Sequence, residues 1–156
     1  MGMYPGGNII RITPTISATA YDAGDVLFLT TEIPNAVSNR GGVSKLISVT
    51  IVNNNDVGDD DIRLLFMKNS KDLISELSPG STGGPAISDG DVVAAEIIGT
   101  MLIDTTDNQV DIGGYRVTTV SGSNSMTSHP QLLQASGGST SVYVAGMCVD
   151  AANYGA

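Results

Sequence analysis

Three places along the chain hold side chains with the chemistry of a reactive or metal-binding site. Asp56, Asp59, Asp60 and Asp61 crowd carboxylates together, and hard oxygen ligands are what calcium takes. No glutamate follows at the twelfth position of any loop begun there, so the stretch reads as a solvated hairpin tip, with a weak calcium site as the sharper alternative. Thr82 lies in Gly80-Ser81-Thr82-Gly83-Gly84-Pro85, a glycine-rich loop that could present a hydroxyl as a nucleophile. Such a hydroxyl needs a neighbouring base, and the single histidine, His129, stands in Thr127-Ser128-His129-Pro130, which has nothing else of a catalytic loop. Cys148 is the only cysteine; it excludes an intrachain disulfide and a cysteine-rich metal site, and its apolar surroundings suit a small buried thiol.

The Thr82 loop is similar to the Gly-Asp-Ser-Gly-Gly-Pro of chymotrypsin-like proteases, but there His and Asp precede the nucleophile, whereas His129 follows. A plain loop is the preferred reading. Gly113-Gly114 and Gly137-Gly138 sit among turn residues, without the long helix or lysine of a phosphate cradle. Converging carboxylates for glycoside hydrolysis would lack their usual aromatic platform, since the chain has no Trp. These absences favour a protein that binds rather than one that catalyses, with no cofactor.

Charge narrows the partners. A formal charge of −9 opposes nucleic-acid binding, which needs clustered Lys and Arg, and the seven basic residues form no run. The first residues lack the basic and apolar regions of a secretory signal, and no window approaches the ~20 apolar residues of a membrane span. The expectation is therefore a soluble chain with neither nucleic acid nor membrane as partner.

The elements that position these groups read mainly as β. With 156 residues, 19 Gly, two Phe and no Trp, the composition suits short strands of Ile, Val, Leu and Met joined by many turns in one domain. Met1 to Asn8 holds Pro5, Gly6 and Gly7 and reads as an N-terminal arm (1–8), leaving 9–156 as a single domain. Strand patterns cover Ile9 to Ser17 (broken by Pro14), Val26 to Ile33, Val43 to Asn53, Ile62 to Lys68, Ile97 to Ile103, Tyr115 to Val120 and Ser141 to Val149. Ile47, Val49 and Ile51 alternate with Ser48 and Thr50, and Ile62, Leu64 and Phe66 alternate with Arg63, so these two runs are expected to pair as a long-looped hairpin. Ser88 can cap a short helix running to Glu96, and Asp72 to Leu77 could form one further turn. The expected fold is an antiparallel β-sandwich, jelly-roll-like, of about seven or eight strands with one short helix.

Several segments together resemble a family of small proteins encoded near the major capsid protein of tailed bacteriophages. They are ITPTISATAYDAGDVLFLTTEIPNAV (Ile12 to Val37), GGVSKLISVTIVNNNDVGDDDIRLLFMKNS (Gly41 to Ser70), SDGDVVAAEIIGTMLI (Ser88 to Ile103) and SGGSTSVYVAGMCVDAANYGA (Ser136 to Ala156). The turn at Tyr21 to Asp25, the strand at Asp61 to Phe66 and the strand at Thr140 to Tyr143 carry the likeness most strongly. None is a catalytic signature. The resemblance implies a capsid decoration or cement protein with a β-sandwich body, seated on the major capsid protein at the virion surface after synthesis in the host cytoplasm. Family members often continue past the Ala-Asn-Tyr segment into one more strand, so an open or exchanged sheet edge is expected here.

The arm is the expected contact, through Met1, Met3, Tyr4, Ile9 and Ile10, whose apolar side chains could order on a neighbouring subunit. A homo-oligomer, trimer or dimer, is expected on a symmetric shell. The alternative is a phage tail, fibre or host-surface receptor-binding module, because β-sandwiches serve equally well there.

Overall fold

In Ile62-Arg63-Leu64-Leu65-Phe66-Met67 apolar side chains fall on both sides of the pleat, and a strand of that kind needs cover on both faces. The computed structural model, which describes residues 7–16, 21–54, 61–71, 93–105, 109–121 and 131–150, gives it that position. Nine strands are present among these residues: β1 (Val26–Ile33), β2 (Val43–Leu46), β3 (Ser48–Asn53), β4 (Ile62–Met67), β5 (Ile97–Ile103), β6 (Gln109–Asp111), β7 (Arg116–Ser121), β8 (Gln131–Gln134) and β9 (Val142–Cys148). One sheet runs β1-β9-β4-β5, with β4 inside it; the other ladders are β2-β8 and β3-β7-β6. Every pairing is antiparallel.

The register divides the side chains of β4 as its sequence requires. Ile62, Leu64 and Phe66 lie across from Cys148, Gly146 and Val144 of β9 and face the main core. There they join Met101, Ile103 and Val142 and meet Leu46, Val49, Ile51, Val120 and Leu133 of the opposing ladders. Leu65 and Met67 turn the other way, into a second cluster with Val26, Ala95 and Ala145. Met67 has 0% exposure, and burying a side chain of that size contributes about 1.5–3 kcal/mol. The main core between two antiparallel layers makes the fold sandwich-like, and the chain alternates between layers: β1, then β2 and β3 opposite, β4 and β5 back, β6 to β8 opposite, β9 back.

Gly146 is a packing device within that core. It lies across from Phe28 in the β1–β9 ladder, and a Cβ there would overlap the Phe28 ring. The ring thus lies over bare backbone, covering a glycine that would otherwise weaken the strand. Register shifts on either side of Phe28 bend β1, and both Leu27 and Phe28 reach the main core.

Several expectations change. Val43 to Asn53 is not one strand: β2 pairs with β8 and β3 with β7, with Ile47 between them. The inward positions are Ser44 and Leu46 in β2 but Val49 and Ile51 in β3, so the alternation resets at the junction and Ile47, expected inward, is 68% exposed. Nor do Val43 to Asn53 and Ile62 to Lys68 form a hairpin. They stand in opposite layers, because β4, apolar on both faces, takes a central place in the four-stranded sheet, whereas β3 has one inward face. Ile9 to Ser17 contributes no strand at residues 9–16, where Pro14 lacks a ladder donor; Ile12 alone packs against the core. β6 and β8 were not expected; each is three or four residues long, too short for a periodic pattern. Of the expected helix, residues 93–95 are helical and 88–92 lie outside the described residues, as do 72–77.

Candidate protein-binding surface

The β3-β7-β6 ladder turns Val49, Ile51, Thr118 and Val120 inward, so its solvent face is set by the residues between them. Those are Ser48, Thr50 and Val52 on β3, and Val117, Thr119 and Ser121 on β7. The register places Val52 across from Val117, and Val117 across from Val110 of β6. Valines therefore form one row over all three strands, and Val52 and Val110 are each 58% exposed. In the next row Thr50 and Thr119 join their hydroxyls at 2.9 Å.

β2 and β8, a separate ladder whose Leu46 and Leu133 reach the same core, also leave apolar side chains exposed. Lys45 lies across from Leu132, with Val43 across from Gln134, and both Val43 and Leu132 are exposed; Ile47 lies at the junction beside them. At the opposite end, Ile112 and Tyr115 are exposed at the β6–β7 turn. This turn is closed by the Ile112 amide donating to the Tyr115 carbonyl at 2.8 Å and the Tyr115 amide returning a bond at 3.3 Å. Gly113 and Gly114 sit between them with φ of 58° and 91°, the left-handed pair that a two-residue hairpin demands. Of the two glycine pairs considered as a phosphate cradle, Gly113-Gly114 is a hairpin turn.

Isolated exposed apolar residues are ordinary, but a row held in register on an antiparallel layer is the kind of surface that a protein partner covers. Among the outward strand positions just named, Lys45 carries the only charge. Such a face offers apolar contact and hydroxyl groups to a partner, with little charge to desolvate. One feature of the sequence did signal it: Ile51-Val52 breaks the alternation of β3 by placing Val on the polar side. The rest depended on β6 and β8, which sequence patterns missed.

The expected contact residues are placed only in part. Met1, Met3 and Tyr4 lie outside the described residues; Ile9 is 98% exposed, and Ile10 is partly buried. Thr82, His129, Asp56, Asp59 and Asp60 also lie outside them. Asp61 is engaged in holding the fold: its Oδ1 accepts the Thr105 amide at 3.1 Å and its carbonyl accepts the Val149 amide at 3.0 Å. Among the described residues no three His, Cys, Asp or Glu side chains gather to hold a metal, and no helix is long and apolar enough to cross a membrane. Cys148 is a buried thiol of the main core, as its apolar surroundings suggested.

The Tyr21 to Asp25 turn has an equally structural explanation. Asp25 is fully buried; its Oδ2 accepts the Asp22 amide at 2.8 Å, and its own amide donates to the Asp22 carbonyl at 3.0 Å. Gly24 donates to the Cys148 carbonyl at 2.9 Å and Cys148 donates to the Asp25 carbonyl at 2.8 Å, fastening the turn to the end of β9. Tyr21 is buried beside it, with its hydroxyl donating to the Leu27 carbonyl at 3.4 Å. Comparison with protein-family models, with curated proteins and with solved structures returns no match for this chain.

Proposed function

We propose that this chain is a non-catalytic virion structural protein, a decoration or cement protein that binds the major capsid protein shell of a tailed bacteriophage. The observation that carries the binding role is the valine row Val52, Val117 and Val110, with Val43, Ile47 and Leu132 also exposed on and beside the β2–β8 ladder. A layer held by continuous ladders presents this surface already ordered, so little conformational entropy is lost when a partner covers it. The choice of a phage shell as that partner rests on the resemblance in the Tyr21 to Asp25, Asp61 to Phe66 and Thr140 to Tyr143 segments. The acidic chain would favour a shell surface of basic or neutral character.

Co-sedimentation of the purified protein with shells that lack it tests the reading. Val110→Lys and Leu132→Lys place a charge on each of the two ladders that carry exposed apolar side chains, and together they should lower shell occupancy at least about tenfold while leaving the fold intact. Occupancy unchanged by both substitutions would remove this face from the contact. Copy number separates the reading from a tail or fibre module: a shell protein accompanies the capsid lattice, whereas a tail protein is present in a few copies per particle.

A further inference from the structure

We infer that the chain forms a two-fold dimer in solution by antiparallel pairing of β3 with the same strand of a second copy. Among the described residues, β3 has a strand neighbour on one side only, so one margin of Ser48 to Val52 faces away from the ladder. Sheet margins in folded proteins normally carry something that deters pairing: a charge, a proline, a bulge, extreme shortness or a covering group.

Among the described residues, the margins of β1, β5, β6 and β2 carry such devices. In β1 the register shifts on either side of Phe28, Glu32 adds a charge, and the Thr30 hydroxyl donates to the Lys71 carbonyl at 3.2 Å. In β5 the Gln131 side chain lies over Gly99 and its Nε2 donates to the Ile98 carbonyl at 3.1 Å. β6 spans three residues and ends on Asp111; β2 spans four and contains Lys45. β3, Ser-Val-Thr-Ile-Val-Asn, has six residues with no charge, proline or glycine, and its ladder to β7 runs without a shift.

A second observation is that the inward side chains along this margin are less fully covered than those of β7. Val49 and Ile51 pack against the core yet remain partly exposed, while Val120 and Thr118, directly across from them on β7, are buried. Pairing two β3 strands about a two-fold axis would carry the ladder on as β6-β7-β3-β3-β7-β6 and cover Val49 and Ile51 with their own counterparts. Antiparallel registers that pair Val49 with Ile51 of the second copy keep inward side chains inward. Charge selects a second copy over a basic partner. The margin offers no carboxylate to a cation, and in a chain of formal charge −9 an uncharged strand is where two copies approach without opposing like charges.

The inference is separate from shell binding and is read without particles. Sedimentation velocity of the full chain over a concentration series should show a monomer–dimer equilibrium. Ser48→Lys and Thr50→Lys, each adding a charge to the β3 margin, should each raise the dissociation constant at least about tenfold. Val110→Lys, on the other margin of the same layer, should leave it unchanged, with circular dichroism confirming that each variant is folded. Hydrogen exchange on the unaltered chain gives an answer free of substitutions: those amides of Ser48 to Val52 that point away from β7 should exchange more slowly as concentration rises. A monomer at every concentration, a dimer that withstands both β3 substitutions, or exchange independent of concentration overturns the inference.

Discussion

Asp25 illustrates what single residues contribute here. Its carboxylate has no exposure, and it satisfies the Asp22 amide in a turn whose backbone is bonded to Cys148 at the end of β9. Removing the acceptor loses a part-buried hydrogen bond to a carboxylate, a kind of bond that contributes about 1–3 kcal/mol. Asp25→Ala should therefore lower the unfolding free energy by about that amount in urea titration. A loss below about 0.5 kcal/mol would mean that water or another group replaces the carboxylate. The same reasoning shows why the Tyr-Asp-Ala-Gly-Asp segment was legible as a turn but not as a tether: turn residues announce themselves locally, whereas the partner, Cys148, is distant in sequence.

At the scale of elements, β4 shows the strongest link from sequence to position. Apolar side chains on both faces required cover on both, and the strand lies between β9 and β5 with the main core on one side and a smaller cluster on the other. Met67 belongs to the smaller cluster and is fully buried, so Met67→Ala should cost about 2–5 kcal/mol in chemical denaturation. A cost near zero would show that the second cluster collapses around the gap. By contrast, the partners of β3 and β4 were misjudged. Consecutive strands often pair, but the run 54–61 links two layers here, and the choice between hairpin and crossing depends on which faces the rest of the chain can cover.

For the molecule as a whole, two regions carry the proposed contact: the exposed apolar side chains of the β2–β8 and β3-β7-β6 ladders, and the segment around Ile9. Ile9 is almost entirely exposed, while Ile12 packs against the core, so the chain is anchored by Ile12 with apolar surface unspent ahead of it. If the arm contributes to shell attachment, removing residues 1–8 and replacing Ile9 by Ser should reduce occupancy several-fold without lowering the melting temperature. Undiminished occupancy would leave the outer face as the sole contact proposed here. The two regions are separable, because the arm variant leaves every strand intact and Val110→Lys leaves the arm intact.

The mainly antiparallel β character, most strand positions and the burial of Cys148 were determined by the sequence itself, because period-two alternation, β-branched residues and turn chemistry act over a few neighbouring residues. Val26–Ile33 and Ile97–Ile103 were legible to the residue for that reason. Strand order, the split of Val43 to Asn53 into two ladders, and the alignment of Val52, Val117 and Val110 belong to tertiary structure alone. Each requires residues far apart in the chain to come into register, and that register is set by which apolar faces cover one another, a property of the assembled layers that no single segment carries.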